Sequence, residues 1–215
     1  METITTGRIN VEEFKSWLTR QKTTKDLFRW SCSYEDALMM LTAAYEREVA
    51  LRGMKCKIPD EVSTYLQQIA QMMTSKSTKC GILLCGNCGN GKTTTMNAFL
   101  SVSKYLATPG IDIESTSARR ISQIAKNEDI MMTAKGTKVL CIDDMGLEPT
   151  EVLDYGNAIN PVIEIMEHRY RQQLFTFITT NLTPSQIREK YGDRIADRFN
   201  ETTKCIVYTN PTFRR

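Results

Sequence analysis

Nowhere does this 215-residue sequence hold the ~18 consecutive apolar residues of a membrane-spanning helix. Nor does Met1-Glu2-Thr3-Ile4-Thr5-Thr6 provide the apolar core of a signal peptide. A cytosolic protein that does not enter a membrane is the expectation. A strong excess of one charge is missing too: 28 Lys and Arg stand against 25 Asp and Glu, a net +3. Charge alone therefore neither requires nor forbids a polyanionic partner. Histidine is almost absent, with His168 standing alone. Cys85-Gly-Asn-Cys88 is formally C-x-x-C, but no second such pair and no histidine partner follows, which argues against zinc. The seven cysteines are odd in number, and several lie in apolar segments such as Leu140-Cys141-Ile142 and Cys205-Ile206-Val207. They read as reduced, buried thiols rather than a disulfide framework. Internal repeats and low-complexity tracts are also lacking. What remains, at 41% hydrophobic and 25% charged residues, is an ordinary globular composition with room for one α/β domain and a small appendage.

Residues 1–75 read as a separate helical domain. Val11, Phe14, Trp17 and Leu18 have helical spacing. Ser33 followed by Asp36 resembles a capping box, opening a run through Ala37, Leu38, Leu41, Tyr45 and Val49 to a stop at Gly53. Pro59-Asp60-Glu61 opens a third helix that ends near Met73. The polar connector at 74–79 marks a boundary with a second domain, 76–215. From 80 onward strands and helices alternate, which predicts a parallel sheet with covering helices. The expected strands are 81–85, 111–114, 138–142, 174–179 and 204–208. Ser117, Asn160 with Pro161, and Thr183 with Pro184 mark helix starts.

Gly86-Asn87-Cys88-Gly89-Asn90-Gly91-Lys92-Thr93 spells G-x-x-x-x-G-K-[ST] between the apolar run Gly81–Cys85 and a helical stretch from Thr94. That strand–loop–helix setting is what a phosphate-cradling loop needs. Its backbone N–H groups turn toward phosphate at the positive end of a helix. Gly86, Asn87, Cys88, Gly89, Asn90, Gly91, Lys92, Thr93 and Thr94 are thus candidate ATP-binding residues. Lys92 would neutralise the β and γ oxygens, and Thr93 would ligate Mg²⁺.

A second set of residues belongs to the same edge of the sheet. The apolar strand Val139-Leu140-Cys141-Ile142 ends in Asp143-Asp144. A parallel strand delivers its last residues to the carboxyl edge, where the phosphate loop also emerges. Asp143 is the candidate metal residue with Thr93, and Asp144 would orient or deprotonate an attacking water. Asp is one methylene shorter than Glu, so slow hydrolysis is expected. Thr179-Thr180-Asn181 ends the fourth strand and puts an amide where it can meet the γ-phosphate or the water. Tyr191-Gly192-Asp193-Arg194-Ile195-Ala196-Asp197-Arg198-Phe199 sets Arg194 and Arg198 on one face of a short helix. Such an arginine could act on a neighbour's phosphate, or simply pair with Asp193, Asp197 or Glu201.

In this order the phosphate loop, Cys141-Ile142-Asp143-Asp144-Met145-Gly146, Ile178-Thr179-Thr180-Asn181-Leu182 and residues 191–199 resemble the AAA+ ATPases, and within them the DnaC/IstB-like group. The resemblance covers roughly residues 80–210. It implies Walker A at Lys92 and Thr93, Walker B at Asp143 and Asp144, and sensor 1 at Asn181. Arg198 becomes the first arginine-finger candidate and Arg194 the second. It further implies an α/β P-loop NTPase fold of AAA+ type, with a five-stranded parallel sheet in the order 5-1-4-3-2, no C-terminal helical lid, and self-association into a ring or spiral. Members load replicative hexameric helicases or serve as ATPase partners of transposases, which makes 1–75 the expected partner-binding part. Single-stranded DNA would then pass Arg119, Arg120, Lys126 and Lys135 through backbone contact, since no aromatic accompanies them. Two other classes compete: a metabolic P-loop kinase, and a binding protein that uses ATP for assembly without hydrolysing it.

Overall fold

The computed structural model describes residues 10–20, 26–55, 57–150, 152–154 and 157–213. Three helices come first, α1 (Val11–Arg20), α2 (Tyr34–Ala50) and α3 (Asp60–Thr74). Then follow β1 (Gly81–Gly86), α4 (Lys92–Leu106), β2 (Ile113–Ser117), α5 (Ala118–Ile124), α6 (Glu128–Gly136) and β3 (Val139–Met145). The rest is β4 (Val152–Asp154), β5 (Asn157–Ile159), α7 (Pro161–Gln172), β6 (Phe175–Thr180), α8 (Pro184–Tyr191), α9 (Asp193–Thr202) and β7 (Thr203–Tyr208).

Five strands form one all-parallel sheet, ordered β2-β3-β6-β1-β7. Counting only these five in chain order, this is the expected 5-1-4-3-2 arrangement. Burial explains the order. β6 is buried at every position, and β1 at all but its last. The edge strand β7 is buried at Thr203, Ile206 and Tyr208 and exposed at Lys204, Cys205 and Val207, because only one side of its neighbourhood is filled. Alternation within β1 sends Ile82 and Leu84 into one core, with α2, α3 and α4, and Leu83 and Cys85 into the other, with α5, α7 and α9.

The expected boundary at 75–76 runs through a shared core. Ala37, Leu41 and Tyr45 of α2 and Val62, Leu66, Ile69 and Met73 of α3 are packed in one cluster with Met96, Phe99, Phe177 and Tyr208. Two helices cannot bury stripes of that breadth on each other alone, so α2 lies against α4 and α3 against β7. Of the expected N-terminal helical unit only α1 has no buried residue. Two elements were not expected: α6, capped by Asn127 Oδ1 on the Ile130 N–H, and the antiparallel hairpin of β4 and β5. No helix among the described residues is long and apolar enough to cross a membrane.

Candidate nucleotide site

The loop between β1 and α4 is shaped by glycines at positive φ, Gly86, Gly89 and Gly91. Gly86 has φ +146°, and a Cβ there would sit 2.5 Å from the Tyr208 carbonyl oxygen, so no side chain fits. Gly91 has φ +99° at the N-cap of α4 and supplies no side-chain cap. The N–H groups of this 15-residue helix's first turn therefore stay available to an anion, which fits a phosphate group.

Lys92 closes the loop on itself. Its Nζ donates to the carbonyls of Gly86 (2.7 Å) and Asn87 (2.8 Å), to Asn90 Oδ1 (3.1 Å) and to Asn181 Oδ1 (2.9 Å). Burial pushes the Lys92 pKa down, opposed mainly by the charge of Asp144. An incoming polyphosphate would relieve that penalty. From behind, the chain after β7 supports the loop: Asn90 Nδ2 donates to the Tyr208 carbonyl (3.3 Å), Asn210 Nδ2 to the Asn90 carbonyl (3.1 Å), and the Phe213 N–H to Gly89 O (2.9 Å).

The two acids sit at an irregularity in the sheet. β3 and β6 pair in step as far as Ile142 with Ile178, but the next partners are Met145 and Thr180, a bulge of one residue. Asp144 takes φ +54° in it. The bulge breaks the period-two alternation, so that consecutive acids are both only partly buried at the carboxyl edge. Thr93 Oγ1 and Thr179 Oγ1 both donate to Asp143 Oδ1, at 3.0 and 2.5 Å, and the Asp144 N–H donates to Thr179 Oγ1 at 2.9 Å. Thr93 and Asp143 are oxygen donors at close quarters, a set that suits Mg²⁺ completed by phosphate and water oxygens. No group of three or more His, Cys, Asp or Glu that could hold a metal exists among the described residues. A Mg²⁺ ion bound mostly by water and phosphate needs none.

Thr179 was not among the residues expected at the site. The available signal was three threonines, 176, 179 and 180, in a strand buried along its whole length. A buried hydroxyl needs a partner, and Thr179 found both acids. Glu148 was missed as well. Its fully buried carboxylate accepts from the Tyr191 hydroxyl and, at 2.8 Å, from the Gly146 N–H, tying the chain after Asp144 to the end of α8.

The arginines of α9 are placed differently from one another. Arg198 is 17% exposed, lies 3.0 Å from Glu167 Oε1 and covers the Tyr170 ring at 4.6 Å. Arg194 is 72% exposed and only skirts Glu167 at 3.4 Å. Asp193 and Asp197, the local acids expected to compete for them, are taken by Arg188 instead (2.5 and 2.7 Å), while Glu201 accepts from Tyr170. Glu167 belongs to α7, a partner that sequence spacing could not supply. Of the cations expected to face DNA, Arg119, Arg120 and Lys126 are exposed in and just after α5. Lys135 is drawn off by Glu164 at 3.1 Å and does not join them as a free charge.

No family model and no curated protein matches this chain. Solved structures do. The DnaC helicase loader aligns over 77% of this chain and 98% of its own, with a TM-score of 0.58 and 19% identity. DnaI aligns over 76% and 94%, with a TM-score of 0.54 and 20% identity. The replication initiator DnaA bound to AMPPCP and single-stranded DNA aligns over 75% of this chain and 50% of its own, with a TM-score of 0.54 and 15% identity. At such identities the likeness concerns the fold, and it agrees with the sheet order and the loop geometry above. This chain has the fold of the DnaC-like AAA+ P-loop proteins.

Proposed function

We propose that this chain binds and hydrolyses ATP and, in oligomeric form on single-stranded DNA, loads a replicative hexameric helicase. The observation that supports the reading most is the convergence of five expected residues, Lys92, Thr93, Asp143, Asp144 and Asn181, on one sheet edge. Lys92 is bonded directly to Asn181 there. Lys92 and the first-turn N–H groups of α4 neutralise the phosphate chain. Thr93 and Asp143 would hold Mg²⁺, which when bound neutralises charge developing on the β and γ oxygens. Asp144 orients or deprotonates the attacking water, and the Asn181 amide positions it. An arginine from the neighbouring subunit completes the site. Arg194 presents its guanidinium openly, whereas Arg198 would first have to leave Glu167. With hydrolysis divided between subunits, ATP turnover acts as a timing switch for assembly.

The partner-binding element of this proposal is α1. Val11, Phe14, Trp17 and Leu18 are each more than two-fifths exposed, and Phe14 stacks on Trp17 with ring centroids 6.0 Å apart. An apolar stripe that nothing among the described residues covers suits a groove on another protein. The solved DnaC is a helicase loader, and DnaA was solved with single-stranded DNA. Both properties are extended to this chain as part of the proposal.

The test uses the full chain as bait, because α2 and α3 share the core of the sheet. Recovery of a hexameric helicase by the wild type, and not by a Phe14→Ala/Trp17→Ala variant, supports the loader reading. Recovery of a transposase moves the chain to the transposase-partner reading, with the ATPase half unchanged. A phosphorylated small-molecule acceptor in the presence of ATP would sink both.

A further inference from the structure

We infer that Arg52 is a second phosphate-binding cation of the nucleotide site, directed at the α-phosphate of a nucleoside di- or triphosphate. The inference deepens the nucleotide-binding reading and rests on it.

The C-terminal half of α2 lies along the start of α4. Tyr45 and Glu48 of α2, and Arg52 just past the end of that helix, each reach the N-terminal part of α4. The Tyr45 hydroxyl stands 3.0 Å from where a Cβ on Gly91 would be. Glu48 Oε2 accepts from Asn97 Nδ2 at 3.3 Å, and Arg52 Nη1 donates to Thr94 Oγ1 at 2.5 Å. Arg52 has a fixed backbone as well. Its N–H bonds to the Val49 carbonyl at 3.1 Å, between the Leu51–Arg47 and Gly53–Ala50 bonds (both 2.9 Å) that close the helix end.

Neighbouring threonines divide the loop into two ends. The Thr93 hydroxyl is turned to Asp143, the metal end. The hydroxyl of Thr94 is turned to α2 instead. Backbone N–H groups of such a loop cradle the α- and β-phosphates, and the metal side takes β and γ. A cation that arrives beside Thr94 therefore meets the phosphate nearest the nucleoside. A guanidinium carries five N–H donors. Thr94 takes one, and Arg52 forms no ion pair among the described residues. The residue is exposed, so the remaining donors are open to an anion. Planar forks of this kind match phosphate oxygens in pairs.

The reading separates Arg52 from Lys92 by what each recognises. Lys92 serves the β and γ oxygens; Arg52 should not sense whether a γ-phosphate is present.

The experiment is calorimetric titration of the full chain with Mg-ADP and with Mg-ATP, for the wild type and for Arg52→Ala, Arg52→Lys and Lys92→Ala. Melting temperatures without nucleotide are recorded alongside. Arg52→Ala should weaken ADP and ATP by the same factor, about ten- to a hundred-fold for a lost charged hydrogen bond. Arg52→Lys should recover part of the loss, with the unliganded melting temperature unchanged for both. Wild-type affinity in Arg52→Ala overturns the inference. So does a loss confined to ATP, or a loss accompanied by a lower melting temperature that Lys does not restore. If the wild type binds neither nucleotide, the nucleotide-binding reading itself falls. If Lys92→Ala loses binding and Arg52→Ala does not, only the role of Arg52 falls.

Discussion

The Thr93 hydroxyl donates to Asp143 Oδ1 across 3.0 Å, joining the first turn of α4 to the end of β3. Both residues are thus held as one oxygen pair before any cation arrives. Asp143→Asn keeps the shape and removes the charge. Adding EDTA to the wild type should weaken ATP binding by about tenfold or more, the scale of one charged contact. In Asp143→Asn the same chelation should change affinity little. A fluorescent-nucleotide titration with and without Mg²⁺ measures this, and an undiminished Mg²⁺ effect in the variant would remove Asp143 from the metal site.

Asn181 accepts from Lys92 through Oδ1, so its amide N–H₂ is the group that the proposed function directs at the γ-phosphate or the water. Removing a donor aimed at the reacting centre lowers turnover far more than ground-state binding. For Asn181→Ala the expected outcome is phosphate release slowed about a hundred-fold, with ADP affinity close to that of the wild type. Equal losses in both would make Asn181 a prop for Lys92 and nothing more.

Charge reversal at Arg119 and Arg120 should weaken binding to a single-stranded oligonucleotide and reduce the slope of log affinity against log salt by about one per lost phosphate contact. Fluorescence anisotropy across a salt series reads both. Binding that keeps its slope would show that α5 does not touch the backbone of the nucleic acid.

What the sequence disclosed followed from local physics. Continuous apolar runs mark the central strands, and the loop from Gly86 to Thr93 is legible because its function needs fixed residue types at fixed spacing. The acids were found by the same logic, but the bulge that presents both of them was not. It depends on where β6 runs out of step with β3, which no property of 139–145 reveals. Glu167 as the partner of Arg198, and α4 as the support of α2, are likewise products of tertiary packing. The polar connector at 74–79 separates helical from strand-rich sequence, yet Met73 and Ile82 on either side of it enter the same core, a contact that the local sequence does not announce.

Arg169 shows how much of the scaffold was invisible. It is 1% exposed, and its guanidinium bonds to Thr176 Oγ1 (2.9 Å) and to the carbonyls of Ala134, Lys135, Thr137 and Phe175 (3.1, 3.3, 2.7 and 2.6 Å), joining α6, α7 and β6. Burial pushes its pKa down to about 10, so it stays charged at neutral pH. Arg169→Ala would strand these acceptors and should cost about 3 kcal/mol or more in a urea melt. A loss below about 1 kcal/mol would mean that water replaces the guanidinium.

The thiols of Cys85 and Cys205 lie 3.9 Å apart on adjacent strands. Hydrogen bonding from Cys85 holds Cys205 below its ordinary value of 9.0; burial opposes this and Lys204 assists it. The thiolate of Cys205 therefore forms at lower pH than in a free cysteine. Its alkylation rate, followed by peptide mapping, should rise with pH to a midpoint below 9.0. Cys85→Ala should move the midpoint upward. An unmoved midpoint would show that Lys204 alone sets the reactivity.

The pairing of β1 has a consequence for biosynthesis. The strand that launches the phosphate loop pairs only with β6 and β7, encoded at 175–180 and 203–208. As the chain leaves the ribosome, Gly81–Gly86 has neither of its partner strands to lie against until residues 175–180 have been made. Helices α2 to α4 can gather early; the nucleotide loop cannot be braced until Tyr208 and Asn210 arrive behind it. A nascent chain lacking residues 203–210 would therefore leave the loop at 86–93 without its bracing, and the proposed nucleotide binding would be acquired only once they have been added.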